Sequence, residues 1–233
     1  MILSTASYED IFKAIVSDEE KVYFWWEKLY QKNYRRFQEQ LDKDIMVMWV
    51  YFTHPQSKNR YLFWYVTTPL RYVLDKDNVT GGHVLVVSDF NDRNFYISSA
   101  KSRPGFIYHM TSHFLKRYRE RFLGNTDAPT EEVLSLYLYR NIKYSVSIEN
   151  QEMSLRPDSD PDTRSLLIPD GVVFVAVKGL ALRNGTSVIV FRCKTFVSRS
   201  ILNEKQLDYL DQVAEEKRAE EIRRLLNIVE EEI

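Results

Sequence analysis

The chain has 233 residues, a formal net charge of −1 and a hydrophobic share of 44%, which together fit one folded domain with a substantial core. Seven glycines and seven prolines exclude long low-complexity stretches, and the single cysteine, Cys193, excludes a disulfide framework within the chain. No apolar run approaches the ~20 residues of a membrane helix, and the N-terminus does not resemble a signal peptide, so we expect a soluble cytoplasmic protein without a membrane partner.

Charge is unevenly distributed along the chain. Residues 203–233 contain five basic and ten acidic side chains, whereas the other 202 residues contain 27 basic and 23 acidic ones. A mildly basic body of this kind permits contact with nucleic acid without requiring it.

The N-terminal region predicts two helices. Ser7 followed by Asp10 is typical of a helix cap, and Ser17 followed by Glu20 matches a capping box, which starts a second helix near residue 18. Within that helix, residues 30–37 interleave aromatic and basic side chains, a pattern compatible with stacking on single-stranded bases. The helical spacing of these aromatics favours the alternative that they belong to the core and that the basic residues face solvent.

The middle of the chain, residues 45–110, predicts a β meander. Apolar and aromatic runs alternate with turn residues such as Asn91 and Asp92, which is most simply an antiparallel sheet. The five runs cover residues 45–52, 61–67, 83–88, 95–99 and 106–110.

The second half of the chain predicts two helices, a loop and a hairpin. The helices occupy residues 112–141. Residues 149–169 are polar and contain three prolines, which predicts either a long surface loop or a segment that contacts a partner. Residues 172–197 form a hairpin around Asn184 and Gly185, a type I′ turn sequence. Its two arms are apolar on both faces, which favours a central position in the sheet.

These elements predict an α+β protein with a mostly antiparallel sheet and a central hairpin. Helices over residues 8–41 and the two-helix insertion pack on the sheet, and residues 1–202 form a single domain. Residues 203–233 predict a long C-terminal helix that is apolar near its two ends and charged between them. Because such a helix often projects from the body or meets a second chain, we expect it to support a homo-oligomer.

One predicted helix carries a set of residues suited to phosphate chemistry. On this helix His113, Arg117 and Arg121 form one stripe beside an aromatic stripe. Two arginines four residues apart repel each other unless an anion lies between them, and the arginine fork suits a phosphate. The alternative is a solvated helix face, on which Lys116 and Arg117 pair with Glu120.

Residues 105–200 resemble a broad group of small bacterial domains in their His-Arg-Arg helix and in the order of their elements. In that group a strand leads into this helix, a second helix and a β-hairpin follow, and the last strand ends near a threonine. The group is similar to the barnase/RelE-like fold of metal-independent ribonucleases and toxins. The resemblance implies a phosphate site in which one histidine acts as general acid or base. Its catalytic set is His113, Arg117, Arg121 and Thr195, and its nucleic-acid-binding set is Lys178 and Arg192.

No motif in the sequence predicts a cofactor or a metal. A glycine-rich phosphate loop, a dinucleotide fingerprint and a hydrolase elbow are all missing from the sequence. His109 and His113 have the spacing of a helical zinc pair, but the sequence offers them no further ligands, and His109 falls in the preceding strand.

The sequence leaves three functions open. The first is a nucleic-acid-acting protein with RNA as its partner, in the form of a metal-independent, toxin-like endoribonuclease. The alternative is a non-catalytic interaction protein, such as an oligomeric accessory factor or a component of a phage-like or other large assembly. The third is an enzyme acting on a small molecule, for which no residue pattern names a substrate.

Overall fold

The computed structural model describes residues 1–39, 45–67, 79–89, 92–99, 104–124, 127–141, 146–148, 163–182 and 185–231. Within these ranges the chain forms four α-helices and one nine-stranded sheet, which confirms the predicted α+β class. The helices are α1 (Tyr8–Gln38), α2 (Ser112–Tyr118), α3 (Thr130–Asn141) and α4 (Glu204–Glu231). The strands are β1 (Met46–Thr53), β2 (Arg60–Thr67), β3 (Val79–Ser88), β4 (Arg93–Ser99), β5 (Gly105–Thr111), β6 (Val146–Ile148), β7 (Thr163–Ile168), β8 (Gly171–Ala181) and β9 (Ser187–Ser198).

Two antiparallel meanders joined by a parallel pair make up the sheet. The strand order is β1-β2-β3-β4-β5-β9-β8-β7-β6, and among the described pairs only β5 and β9 run parallel. Because a parallel connection cannot be a tight turn, the chain leaves β5 through α2 and α3 before it enters the second meander at β6. The sheet is therefore mostly antiparallel, as predicted, and β9 and β8 take the sixth and seventh positions among the described strands.

The N-terminal region forms one helix, so the prediction of two helices is wrong. Ser7 caps this helix, since its hydroxyl accepts a hydrogen bond from the Asp10 N–H and its own N–H donates to the Asp10 carboxylate. That capping box is confirmed. Ser17 lies inside the helix because the buried stripe that contains Ile15 and Val22 continues across it without a break.

Helices cover both faces of the sheet. On one face, Phe114 and Tyr118 of α2 are fully buried together with apolar residues of α3 and with Phe196 of β9. We call this the α2–α3 face. On the opposite face, which we call the α1–α4 face, α1 packs on β2 and β3, and α4 packs on β7 and β8 through Leu207 and Leu210.

A buried carboxylate ties the α2–α3 face to the turn between β7 and β8. Asp170 is 2% exposed and accepts hydrogen bonds from the Tyr118 hydroxyl at 2.5 Å and the Asn141 amide at 2.9 Å. Arg140 donates to the same carboxylate from both Nε and Nη2, which lie 2.9 and 2.7 Å from Oδ1. Burial and the nearby Asp170 charge raise the pKa of Tyr118, so its hydroxyl keeps the proton that it donates. We call these four residues the Asp170 node.

Part of the loop predicted over residues 149–169 is a strand, so the prediction is wrong for that part. Residues 163–168 form β7, which pairs with β6 and β8. Leu166 packs into the α2–α3 face and Leu167 packs against α4, which gives the strand two buried sides. Residues 149–162 lie outside the described part of the chain.

Candidate nucleic-acid interface

The predicted His-Arg-Arg stripe begins on the solvent side of α2. His113 is exposed and forms no hydrogen bond or ion pair with any described residue. Arg117 Nη1 lies 3.4 Å from Glu120 Oε2, and Lys116 Nζ lies 3.9 Å from Glu120 Oε1. One carboxylate thus faces both cations, which is the arrangement of a solvated helix face.

Arg121 does not extend this stripe toward solvent. A π-helical turn over Arg119–Leu123 follows α2, and Arg121 Nη1 donates to the Phe196 carbonyl of β9. The guanidinium therefore satisfies a backbone acceptor and ties the helix to the sheet. Of the three residues in the stripe, only His113 keeps its polar atoms without a described partner.

The other predicted site residues lie on the α1–α4 face, opposite α2. Thr195 is paired with Phe174, which packs against α4, and Arg192 is paired with His109, which lies under α1. Lys178 follows Phe174 at an even spacing along β8 and therefore points to the same side. The sheet thus separates these three residues from the α2 stripe, and the six predicted residues do not meet in one site.

His109 is a satisfied core histidine in this fold. The Tyr8 hydroxyl lies 2.8 Å from its Nδ1, and Asn94 Oδ1 lies 2.8 Å from its Nε2. Burial, with a smaller contribution from the Arg192 charge, lowers the pKa of His109 to about 4, so the ring is neutral at pH 7. A neutral ring donates from Nε2 to Asn94 and accepts from Tyr8 at Nδ1, which fastens the first turn of α1 to the sheet.

The outer side of α1 brings together a different set of basic and aromatic residues. At 3.6 residues per turn, seven side chains between positions 21 and 36 fall within a sector of about 120°. No acidic residue between these positions falls in the sector, because Glu27 lies outside it. We call the set the α1 flank, and its members are Lys21, Phe24, Trp25, Lys28, Lys32, Arg35 and Arg36.

The α1 flank is open to solvent. Four of its five cations are exposed, and none of the five forms an ion pair with a described residue. Phe24 is 59% exposed and Trp25 is 37% exposed. Lys28 Nζ lies 4.7 Å from the centre of the Trp25 ring, within the range of a cation–π contact. The flank points away from the core because residues such as Val22 anchor the opposite side of α1 on the sheet.

A groove of about 260 Å³ runs between the flank and β1. Val50 and Phe52 of β1 form its apolar wall, and the Trp25 ring lies 6.0 Å from the Phe52 ring. Lys28 and Lys32 also line the groove, so two ammonium groups border an aromatic surface. Among the described strands, β1 has a neighbour on one side only, which leaves this edge of the sheet facing the groove.

A second cavity, of about 740 Å³, lies at the N-terminal end of the flank. Lys21 and Phe24 of the flank line it, together with His54 and Ser57 from the turn between β1 and β2. Lys21 Nζ donates to the Gln56 side chain at 3.1 Å and so links α1 to this turn.

A buried hydrogen-bond network lies beside this cavity. Asp18 Oδ2 accepts from the Ser57 hydroxyl at 2.7 Å, the Asn59 amide at 2.8 Å and the Tyr61 hydroxyl at 3.0 Å. Burial and the Asp18 charge raise the pKa of Tyr61, which therefore stays a donor. His54 is 5% exposed, and its Nδ1 accepts from the Ser57 N–H at 3.1 Å. The network holds the turn against α1 and fixes the orientation of the His54 ring.

The sequence pattern of residues 30–37 identifies only three of the flank residues, namely Lys32, Arg35 and Arg36. In that segment Phe37 is fully buried and packs with Tyr30, as the core alternative predicts, whereas Tyr34 is 43% exposed and does not follow it. The signal that identifies the whole flank is the helical wheel over residues 21–36, together with the run of four aromatics at positions 23–26.

The described ranges contain neither a metal-binding cluster nor a membrane-spanning helix. Within them, no group of three or more His, Cys, Asp or Glu side chains could hold a metal ion. No helix among these residues is long and apolar enough to cross a membrane. No protein family, curated protein or solved structure matches the chain.

Proposed function

We propose that the protein binds single-stranded nucleic acid along the α1 flank, with RNA as its ligand. One observation carries the proposal: five cations and two exposed aromatic rings share one sector of α1, and the acidic residue of this stretch, Glu27, lies outside that sector. Five positive charges this close together repel one another, and a polyanion relieves that repulsion.

The chemistry of the flank fits a single strand in two ways. Its lysines and arginines can neutralise phosphates and release the counterions that surround them. Phe24 and Trp25 can stack on bases, which needs no particular sequence because every base has an aromatic face. A duplex hides the faces of its bases, so exposed rings favour an unpaired strand.

The proposal covers binding, and RNA cleavage stays a separate prediction. The family resemblance assigns cleavage to His113, Arg117, Arg121 and Thr195, whereas Arg117 pairs with Glu120 and Arg121 with a backbone carbonyl. Incubation of labelled RNA with a metal chelator tests cleavage directly. Products that appear with the wild type and disappear with His113→Ala would support the prediction, and equal cleavage by both proteins would contradict it.

Two further predictions from the sequence belong with this proposal. A cytoplasmic location fits an RNA ligand. A homo-oligomer through the C-terminal helix would place two flanks on one assembly, which raises the apparent affinity for a long strand. The first apolar patch of α4 packs on the sheet through Leu207, Leu210 and Val213, so the second patch, around residues 222–229, is the segment assigned to oligomer contact. Light scattering measures the oligomeric state.

Fluorescence anisotropy with a labelled, unstructured RNA tests the proposal. We expect the wild type to bind at low salt and the Lys28→Ala/Lys32→Ala variant to bind at least tenfold more weakly. The matched control is Lys116→Ala/Arg117→Ala, which removes the same number of charges from α2. We expect the control to stay within about twofold of the wild type, because Glu120 already faces both cations.

The competitors of that experiment separate the other ligands that a basic, aromatic surface can take. Single-stranded DNA, duplex RNA and vesicles with anionic lipid are offered against the labelled strand. Competition by duplex RNA equal to that by the single strand would contradict the stacking role of the rings. Tighter binding to vesicles than to RNA would mean that the ligand is a membrane surface and not a nucleic acid. Equal loss of RNA binding in the flank variant and the α2 control variant would contradict the assignment of the binding site to the α1 flank.

A further inference from the structure

The strands at the two ends of the sheet differ in how they are protected. Among the described strands, β6 ends the sheet on one side with three residues, whereas β1 ends it on the other side with eight. Edge strands of soluble proteins are commonly short, or carry a charge, a proline or a bulge, because an open row of backbone groups pairs with other chains. The β1 sequence, MVMWVYFT, contains no charged residue and no proline, and its pairing with β2 runs without a bulge. The β1 edge therefore has none of these protections.

The hydrogen bonds of β1 show which of its backbone groups face the edge. The His54 N–H closes the hairpin between β1 and β2, because it donates to the Asn59 carbonyl at 2.8 Å. These two residues continue the register of the strands, along which hydrogen-bonded pairs alternate with pairs that are not bonded to each other. The even-numbered residues of β1 therefore bond to β2. The odd-numbered residues direct their N–H and C=O groups to the edge, and they are Val47, Trp49, Tyr51 and Thr53.

The groove beside α1 runs along this edge. Val50 and Phe52 line it, and the Val50 side chain is 38% exposed. Lys28 and Lys32 line it from α1 and form no ion pair with a described residue. Because successive side chains of a strand alternate between the faces of a sheet, a strand paired with β1 places every second side chain in this groove. Those side chains meet an apolar wall and two ammonium groups.

The charge of the groove distinguishes between a second copy of the chain and an acidic partner. In an antiparallel β1–β1 pair, the two-fold axis is perpendicular to the sheet, so both α1 helices lie on one face with their lysines beside the same interface. Like charges placed in this way repel each other. An acidic segment instead neutralises Lys28 and Lys32, while its apolar side chains cover Val50 and Phe52.

We infer that the β1 edge binds an extended acidic segment of a partner protein, which adds a further strand to the sheet. Hydrogen bonds to the odd-numbered residues of β1 supply affinity, and the groove favours a segment whose α1-facing side chains are acidic and apolar in turn. This docking goes beyond the proposed function. One consequence rests on the proposed function: the segment uses Lys28 and Lys32, which also bind RNA, so we expect the two ligands to exclude each other.

Synthetic peptides of about nine residues, long enough to span β1, test the docking by fluorescence anisotropy. In the parent peptide the odd positions alternate between glutamate and valine, and the even positions are threonine. One control replaces each glutamate by lysine, and two others carry backbone N-methyl groups on either the odd or the even residues. We expect the lysine peptide to bind at least tenfold more weakly than the parent. Only one of the N-methylated peptides should lose about tenfold, because a residue in a strand bonds to one side only.

A variant of β1 separates the backbone contact from the side chains. Val47→Pro removes an N–H group that faces the edge and leaves the bonds to β2 in place, a position at which a strand tolerates proline. The matched control is Val47→Ala, which keeps the N–H group. We expect Val47→Pro to weaken binding of the parent peptide about tenfold and the control to stay within about twofold of the wild type.

Amide hydrogen exchange on the wild type does not depend on the folding of a variant. In the free protein we expect the amide protons of Val47, Trp49 and Tyr51 to exchange quickly and those of Met48 and Val50 to exchange slowly. Saturation with the parent peptide should slow the first three at least tenfold and leave the other two unchanged.

Several outcomes would overturn the inference. Equal binding of the glutamate and lysine peptides, or no binding of either, would remove the acidic partner and leave RNA binding by the flank intact. Unchanged amide exchange along β1 with bound peptide would contradict strand pairing. A dimer in light scattering, with protected odd-numbered amides in the absence of peptide, would make a second copy the occupant.

Competition with labelled RNA separates the docking from the proposed function. Displacement of RNA by the parent peptide, and not by the lysine peptide, would support both. Simultaneous binding of peptide and RNA would contradict the shared use of Lys28 and Lys32. Peptide binding by a protein that binds no RNA would overturn the proposed function and support the docking site.

Discussion

The α1 flank and the α2 stripe are both helical rows of basic residues beside aromatic ones, but the structure uses them differently. On α2, Glu120 faces Lys116 and Arg117, and Arg121 binds a backbone carbonyl. On α1, the five cations of the flank form no ion pair with a described residue. A cation that already faces a carboxylate gains less from a phosphate than a cation that forms no ion pair with a described residue.

The aromatic residues of the two helices differ in the same way. The aromatic rings of α2 are part of the core: Phe114 and Tyr118 are fully buried, and Tyr118 also belongs to the Asp170 node. The flank instead leaves Phe24 and Trp25 exposed beside its cations. Alternating basic and aromatic residues on a helix therefore indicate a ligand site only where both kinds of side chain stay exposed in the folded protein.

The largest effect is expected from removing most of the flank charge. If all five flank cations contact phosphates, the logarithm of the RNA affinity falls with the logarithm of salt with a slope of about −3.5. The Lys28→Ala/Lys32→Ala/Arg35→Ala/Arg36→Ala variant retains one contact, so its slope should approach about −0.7, with a loss of affinity above 100-fold at low salt. Anisotropy titrations across a salt series measure both quantities. An unchanged salt slope in this variant would show that the flank cations do not contact the phosphates.

The Asp170 node should matter for stability and not for binding. Asp170→Asn replaces the carboxylate that Arg140, Tyr118 and Asn141 share, and we expect the free energy of unfolding to fall by about 3 kcal/mol. The value is at the low end for a broken buried pair because the Arg140 side chain is 40% exposed. Urea unfolding measures the loss. RNA affinity of the folded variant should stay within about twofold, and a large loss of affinity would make the α2–α3 face part of the ligand site.

The tie between Tyr8 and His109 should give the stability a dependence on pH. The pKa of His109 is about 4 in the folded protein and ~6.5 in the unfolded chain, so the unfolded state binds more protons between these values. The contribution of His109 is therefore fully present above pH 6.5 and is lost as the pH falls toward 4, by up to about 3 kcal/mol. Urea unfolding at several pH values should show a shallower decline for His109→Gln. Parallel curves for the two proteins would contradict this account of the buried ring.

The smallest of these effects is expected from a single ring of the flank. Trp25→Ala removes a stacking surface and should weaken RNA binding by about 1.5 kcal/mol, which is about tenfold. Because no charge is lost, the salt slope should stay at the wild-type value. Phe114→Leu is a control that changes a fully buried aromatic residue on the α2–α3 face, and it should lower stability without changing affinity. A reduced slope in Trp25→Ala would show that the ring acts through the neighbouring lysine instead of through stacking.

Local signals in the sequence account for much of the fold. The Ser7–Asp10 box starts α1 where predicted, and Gly185 has a φ of +80°, which the predicted hairpin turn requires near that point. The α+β class and the mostly antiparallel sheet follow from the alternation of apolar runs with turn residues in the sequence. The strand β7 could not be predicted in the same way, because its apolar residues follow a polar, proline-rich stretch and gain their burial only from distant partners on both faces of the sheet.

The candidate site is harder to predict because it depends on which charges remain without partners. Nothing local distinguishes Arg117, which faces Glu120, from Lys28, which lies over Trp25, since each is a basic residue beside an aromatic one on a helix. The resemblance groups Arg192 and Thr195 with Arg121, but both residues lie on the other side of the sheet, which only the strand register reveals. The cavity beside His54 depends on a turn that packs against α1 from a different part of the chain.

Photo-crosslinking with RNA that carries 4-thiouridine tests the central claim most directly, because it reports where the strand lies on the wild-type protein. After irradiation and digestion, mass spectrometry identifies the crosslinked peptides. The account predicts crosslinks within residues 21–36 of α1 and on β1 near Phe52, with none on α2. Crosslinks on α2 around His113 and Arg117, with none on α1, would contradict the account and identify the α2 stripe as the RNA-binding site.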